Sequence, residues 1–281
     1  MTVRRMCELA GVSRAGFYRE PSQAAESSRD DSLAAELEEL AGKRRRYGYR
    51  RMTEELHDRG WVVNHKRVLK VMRKRHLLCR RRQRWMRTTD SRHGLASYPN
   101  LARQLKVSGL NQLWVADISY IPLQQGFAYL AVILDAYSRR VIGWALQETL
   151  EAGLTLAALR MALRKRGAPA GLIHHSDHGL QYACRAYVDL LQAHGIASSM
   201  SRIGNPYDNA IAESFFKTLK IEEVYGSEYQ HVRHARARLR GYIDFYNQQR
   251  LHSALGYLSP VALEAKLPGA ALTGRPPGSP A

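Results

Sequence analysis

Asn205-Pro-Tyr-Asp-Asn-Ala-Ile-Ala-Glu-Ser-Phe-Phe-Lys-Thr-Leu-Lys220 opens on turn formers and closes on helical spacing. Gly204, Asn205 and Pro206 punctuate the chain, and Asp208 or Asn209 can serve as a helix cap, so a helix is expected from about Asn209. Ile211, Ala212, Phe215, Phe216 and Leu219 recur at spacings of three and four, which buries one face and turns Glu213, Lys217 and Lys220 toward the other. Glu213 and Lys220 are two helical turns apart and point the same way to within about 20°. A Glu with a Lys four residues on is ordinarily just a helix-supporting ion pair, so this face acquires chemistry only with partners. Two acids qualify: Asp117 in Leu113-Trp-Val-Ala-Asp-Ile-Ser-Tyr-Ile121, and Asp177 in Leu172-Ile-His-His-Ser-Asp-His-Gly179. Each lies in, or ends, a short apolar run rich in β-branched residues, which reads as a buried strand.

Outward from these acids, strands are expected at 113–121, 127–135 and 139–146. Gln124-Gln125-Gly126 and Tyr137-Ser138 are the turns of an antiparallel meander. A helix at 151–166 stops at Gly167 and Pro169. A strand then ends at Asp177, a helix spans about 182–194, a short strand covers 197–200, and the Glu213 helix comes last. The order βββαβαβα is that of an α/β protein with a mixed five-stranded sheet flanked by helices. Asp135 and Asp208 read as turn or capping acids. His174, His175 and His178 flank Asp177, but successive strand residues face opposite ways and no cysteine pair completes a site, so no zinc is expected.

The 281 residues suffice for about two domains. Lys and Arg outnumber Asp and Glu by 43 to 25, a net charge of +18 that implies a polyanionic partner. Between Lys43 and Arg87 there are eighteen Lys and Arg against three acids, Glu54, Glu55 and Asp58, so fifteen of the eighteen excess charges sit in one stretch. That concentration favours nucleic acid, with Arg44, Arg45, Arg46, Arg50, Arg51, Lys66, Arg67 and Lys70 as the expected DNA contacts. Residues 1–20 read as part of a helix-turn-helix, one helix ending at Gly11 and the next capped by Ser13. Pro21 to Asp31 reads as a polar linker, and residues 32–78 as a basic helical DNA-binding domain. Its helices are expected from Ser32 to Ala41, from Met52 to Arg59 and, capped by Asn64, from His65 to His76. The last sets Arg67, Lys70, Arg73 and Lys74 beside Val68, Leu69, Val71 and Met72, and is the groove candidate. Residues 79–110 read as a basic linker, 111–225 as the acid-bearing core, 226–266 as its helical extension and 267–281 as a disordered tail. Cys7, Cys79 and Cys184 are too few and too scattered for a disulfide framework. No apolar run nears the roughly 18 residues of a membrane span and no signal peptide opens the chain, so a soluble protein of the cytoplasm is expected.

Thirty-five residues separate Asp177 from Glu213. Around the acids stand Trp114-x-x-Asp117-Ile-Ser, Leu134-Asp-Ala-Tyr-Ser-Arg139, His175-Ser-Asp-His-Gly-Leu-Gln-Tyr182, Ser201-Arg-x-Gly204, Asp208-Asn-Ala, Glu213-Ser-Phe-Phe-Lys-Thr-Leu-Lys220 and Phe245-Tyr-Asn-x-x-Arg-x-His252. With these motifs the chain, from Met1 to Pro260, resembles the integrase-type DDE transposases of bacterial insertion sequences with two overlapping reading frames, and in particular their second-frame product. The resemblance implies the ribonuclease H-like fold of retroviral integrases for the core. It also implies metal-dependent DNA cleavage and strand transfer at the ends of the protein's own insertion sequence. Asp117, Asp177 and Glu213 would be the catalytic acids and would hold two Mg²⁺ ions, with Mn²⁺ as a substitute, Asp117 bridging both. Magnesium is held by few protein carboxylates and completes its shell from water and phosphate, while crowded carboxylates repel one another until a cation arrives. Lys217 and Lys220 would hold DNA phosphate beside the metals, and Asn247, Arg250 and His252 would fasten the last helix to the core. The implied partners are double-stranded DNA, as terminal inverted repeats and target, further copies of the chain, and the upstream-frame product by fusion or binding. The helix-turn-helix lacks its first helix and reads as truncated, which that fusion would repair. The alternatives are a transposase-derived DNA-binding regulator without catalysis and a ribonuclease H-like nuclease without strand transfer.

Overall fold

A computed structural model describes residues 2–11, 13, 23–79, 98–201 and 209–267. The chain divides into two compact units, Met1–Arg80 and Arg81–Ala281.

In the first unit, α1 (Val3–Ala10) ends at Gly11, which takes the left-handed φ of 64° that a side chain would resist. The second helix expected of the helix-turn-helix falls on residues outside those described, apart from Ser13. The next helices are α2 (Gln23–Lys43), α3 (Tyr49–Asp58) and α4 (His65–Lys74). Leu33, Leu37 and Leu40 of α2 are buried, as are Met52 and Leu56 of α3 and Val68 and Met72 of α4. Asn64 caps α4 as expected, its Oδ1 accepting from Lys66 N at 2.8 Å. The linker expected up to Asp31 is helix from Gln23 onward. Gln23-Ala24-Ala25-Glu26 are good helix formers, and Asp30 and Asp31 form ion pairs with Arg67 (2.7 Å) and Arg75 (2.9 Å). An apolar-period reading misses a segment held by polar tertiary contacts.

The second unit begins with the antiparallel meander β1 (Leu113–Pro122), β2 (Phe127–Asp135) and β3 (Val141–Gln147). Then come α5 (Ala152–Arg166), β4 (Ile173–Ser176), α6 (Leu180–Ala183), α7 (Arg185–Ala193), β5 (Ala197–Met200), α8 (Ala210–Glu222), α9 (Val232–Gln248) and α10 (Pro260–Ala265). The sheet order is β3-β2-β1-β4-β5, with β4 parallel to both β1 and β5. The single helix expected at 182–194 is two, because Cys184 is extended (φ −67°, ψ 144°) between them. Alternate residues of the central strands feed opposite faces. Val115, Val132 and Leu134 pack with Phe215, Phe216, Leu239 and Tyr246 of α8 and α9. Trp114, Ala116, Ala131 and Ile133 pack with Leu154, Ala158 and Leu159 of α5 and Tyr187 of α7. Gly143 permits this second layer, since a Cβ there would run into the Ala158 carbonyl.

Strand β3 is at one edge, and side chains of α9 cover its open backbone groups. Asn247 accepts from Val141 N and donates to Val141 O, both at 2.9 Å, and Arg236 donates to Leu146 O at 2.6 Å. The expected linker 79–110 is in part anchored. Ala102, Leu105 and Val107 pack on the core, and Leu101 N donates to Ser199 Oγ at 2.9 Å. Residues 80–97 and the tail from 268 lie outside the described residues, as does Asp208. No helix among the described residues is long and apolar enough to cross a membrane.

Candidate active site

Asp117 sits in the middle of β1, opposite Val132 of β2. On its other side β4 pairs Leu113, Trp114 and Val115 with Ile173, His174 and His175, and the same parallel register carried two residues further sets Asp177 level with Asp117. The Asp177 carboxylate is oriented by Gly179, whose N–H donates to its Oδ1 at 3.0 Å. A Cβ on Gly179 would crowd that same oxygen. Glu213 comes from the first turn of α8, where it is exposed. The start of α8 is fixed by Asn209, whose Nδ2 donates to Ala116 O at 3.0 Å, one residue before Asp117. Asn209, one of the two caps the sequence offers, stands at the N-cap position but makes no capping bond with its side chain; the other, Asp208, lies outside the described residues. Asn209 fastens α8 to the strand that carries the central acid, a role with no local sequence signal.

The electrostatics link the groups. The Asp117 carboxyl is raised to about 8, first by burial, then by the charge of Asp177 and, less, of Glu213. Only the Ile118 N–H, donating at 2.8 Å, and the Lys220 ammonium oppose this. Asp117 keeps an opening to solvent, yet the protein packed around it is dense enough for desolvation to dominate. Glu213, although open to solvent, is also raised by the protein packed near it. Burial lowers Lys220, against the pull of Asp117. Asp177, Glu213 and Lys220 thus all act on or with Asp117. Among the described residues, no group of three or more His, Cys, Asp or Glu side chains is placed so that it could hold a metal ion. The acids converge without forming a cage, and their oxygen donors and mutual repulsion suit a hard divalent cation that takes its remaining ligands from water and phosphate.

The neighbouring polar groups have structural partners. His174 is buried, pairs with the Tyr187 hydroxyl at 2.9 Å, and is lowered to about 3 by desolvation and the adjacent His175. His175 lies between Ser199 Oγ (2.8 Å from Nδ1) and Ser201 Oγ (3.1 Å from Nε2). Asp135 accepts from the backbone N–H groups of Asn111, Tyr137 and Ser138 and from the Ser138 hydroxyl, the turn role expected of it.

The sequence-derived DNA contacts divide. Lys217 is exposed, and Lys220 is half-buried beside Asp117. The acids nearest Lys220 in sequence are engaged elsewhere: Glu222 binds Arg250 through two hydrogen bonds, of 2.8 and 2.7 Å, and Glu223 binds Arg238 at 2.9 Å. In the first unit Arg44 pairs with Glu55 at 3.2 Å and Arg67 with Asp30, so both have internal work. Arg50 and Arg51 lie over the rings of Tyr49 and Tyr47, at 5.2 and 5.3 Å. Arg45, Lys66 and Lys70 are exposed, and Arg46 is half-buried. Of the residues expected to fasten the last helix, Asn247 bonds β3 and Arg250 bonds Glu222, whereas His252 stands edge-on to Tyr246 of that same helix, with a 4.7 Å centroid separation.

Comparison with known proteins matches two integrase core domain models, over residues 108–206 and 194–260, and an HTH-like domain over residues 28–85. The chain is 41% identical over 268 residues to the 31 kDa protein of insertion element IS600 of Shigella sonnei, covering 93% of this chain and 98% of that protein. It is 36% identical over 272 residues to the transposase InsF of insertion sequence IS3A of Escherichia coli K12, covering 94% of each. Among solved structures it is similar to the HTLV-2 integrase catalytic core domain, with a TM-score of 0.43 and 14% identity over 55% of this chain and 96% of that one.

Proposed function

The chain belongs to the IS3-type insertion-sequence transposases with an integrase core, and from that premise we propose that Asp117, Asp177 and Glu213 are its catalytic acids. It is a DDE transposase, a polynucleotidyl transferase that depends on a divalent metal and cuts and joins DNA. The residue assignment is supported by placement: the β1–β4 register brings Asp177 level with Asp117, and Asn209 ties the start of α8, with Glu213 in its first turn, to Ala116, while burial and both other acids raise Asp117. Carboxylates crowded in this way disfavour their own ionisation and gain from a bound cation.

In this reading Asp117, Asp177 and Glu213 would hold two Mg²⁺ ions, or Mn²⁺ in their place; when bound, these would supply charge stabilisation to the attacking and leaving oxygens of an in-line displacement. The residues of the chain contribute position and charge. Gly179 N–H holds the Asp177 carboxylate in one orientation. Asn209 ties the first turn of α8 to Ala116, which fixes how far Glu213 stands from Asp117. The Lys220 ammonium, on the Glu213 face, neutralises a phosphate of the bound strand, with Lys217 a turn away. In the first step water attacks the phosphodiester at the element end, the P–O3′ bond breaks and a 3′-hydroxyl is freed. In the second, that hydroxyl attacks a target phosphodiester and releases another 3′-hydroxyl, so one ester forms for each one broken. In each step the attacking oxygen loses a proton and the leaving 3′-oxygen gains one, so strand transfer is proton-neutral, and hydrolysis releases only the proton lost as the new 5′-phosphate ionises.

As a transposase the chain binds DNA and works as an oligomer. We further infer that the duplexes bound are its own terminal inverted repeats and the target, in the bacterial nucleoid, and that the upstream-frame product is joined to it by fusion. The test is joining of a labelled 3′-ended terminal oligonucleotide to plasmid. Asp117→Asn, Asp177→Asn and Glu213→Gln should each abolish joining, a loss of several kcal/mol of transition-state stabilisation, while leaving duplex binding intact. Asp135→Asn should stay active. Joining retained by one mutant would remove that acid from the site. Binding with no joining in any metal by the parent chain would favour the regulator.

A further inference from the structure

Two helices flank the edge strand β3, α5 on one face of the sheet and α9 on the other. Arg166 at the end of α5 and Arg140 at the start of β3 share the buried carboxylate of Glu264. Asn247 near the end of α9 bonds Val141, while Arg236 near its beginning bonds Leu146. Both helices therefore run antiparallel to β3, and their outer faces border one edge.

Those outer faces are cationic. Arg160, Arg164 and Lys165 of α5 and Arg233 and Arg240 of α9 are exposed. None of the four arginines enters an ion pair among the described residues. Lys165, although open to solvent, is held below the usual lysine range by the protein packed near it and by Arg140, Arg166 and Arg164, with only Asp244 opposing them. Cations in the last turn of a helix complement its dipole, which accounts for Arg164 and Lys165. The same dipole disfavours Arg233 in the first turn of α9, and like charges one turn apart, as in Arg160 and Arg164, oppose helix formation. A surface that crowds uncompensated charge against these local preferences, on a protein that handles a polyanion, calls for an anionic occupant. It is also distinct from the acidic site: β2 separates β3 from Asp117, and Asp177 lies on the far side of β1.

We propose that this tract along β3 is a second DNA-backbone surface, which grips duplex beyond the reacting phosphodiester through its phosphates and without reading sequence. Phosphate contacts fix register and carry salt dependence, which is what a grip remote from the chemistry supplies. The experiment measures affinity of the full chain for a random-sequence duplex against salt, in chelator so that no catalysis intervenes. Arg160→Gln/Arg164→Gln/Arg240→Gln should lower the slope of log K against log salt by roughly 2 to 3, at about 0.9 for each phosphate that is no longer neutralised. The corresponding triple lysine variant should keep the slope. A photo-crosslinker at Ala237, exposed between Arg233 and Arg240, should capture DNA, and this readout stands if the glutamine variant fails to fold. An unchanged slope, or no DNA captured at Ala237, overturns the proposal. A variant with unchanged slope that loses self-association instead assigns the tract to an acidic surface of another copy of the chain.

Discussion

Asp117 and Asp135 lie on neighbouring strands and differ in what surrounds them. Asp135 meets four donors, so its burial is compensated and its role is to close the turn before β3. Asp117 has one backbone donor and two like charges, the pattern of a group that wants a cation. The sequence separated these two acids by position relative to strand and turn, and the structure gives the same division. It could not distinguish His174 and His175 as core groups by their partners, because Tyr187 and the serines of β5 are remote in sequence. His174 carries a pH prediction. Its folded pKa, about 3, lies below the free value, so the unfolded chain binds the extra proton between roughly 6.5 and 3. The stabilisation from a neutral His174 is complete above about 6.5 and is lost as pH falls toward 3. At pH 5 the loss should be about 2 kcal/mol, at 1.36 kcal/mol per pH unit. Urea unfolding at pH 7 and pH 5 should show the native chain losing about that much more than His174→Phe. Equal losses would mean that His174 does not govern acid stability.

At the scale of elements, α8 is the part on which the geometry of the site depends, and it is pinned at both ends. Asn209 holds its start to β1. Glu222 holds its end through Arg250 and the Tyr242 hydroxyl, with side-chain exposure of only 8% for Glu222 and 4% for Arg250. Arg250→Ala should cost about 3 to 5 kcal/mol, because it strands a buried carboxylate, and Arg250→Lys should recover only part, lacking the planar fork that makes two bonds at once. Denaturant unfolding checks both, and an alanine variant as stable as the native chain would exclude the pair as the pin. The apolar spacing of three and four that marks the buried face of α8 was readable directly, as were the meander and its turns. The anchors were not, since Ala116 and Arg250 stand far from Asn209 and Glu222 in sequence. The same limit explains α2, whose first turns are polar and rest on Arg67 and Arg75. The break between α6 and α7 at Cys184 also lay below the resolution of pattern, because one extended residue leaves the apolar repeat unchanged on either side.

At the scale of the molecule, the densest run of positive charge and the chemistry lie in different stretches of the chain. The stretch from Lys43 to Arg87, with fifteen of the eighteen net charges, lies mostly in the first unit and runs past its end at Arg80, while Asp117, Asp177 and Glu213 belong to the second. Within the first unit, Arg44 and Arg67 are bound to Glu55 and Asp30, while the outer face of α4 presents Lys66, Lys70, Arg73 and Lys74 as an exposed cationic surface, and Arg45 and Arg50 are exposed outside α4. Lysines grip phosphate as point charges, whereas reading a guanine calls for a bidentate fork of the kind arginine offers. A face of three lysines and one arginine is therefore suited to holding DNA more than to telling one sequence from another. We expect the 281-residue chain to bind duplex with a steep dependence on salt and little preference for its terminal repeat, and the product fused to the upstream frame to discriminate well. A competition at near-physiological salt between terminal-repeat and scrambled duplexes, run on both proteins, measures this. Strong discrimination by the 281-residue chain alone would place end recognition in α2 to α4, and Arg73→Gln would then be expected to relax it by about 1 to 3 kcal/mol at a single base position.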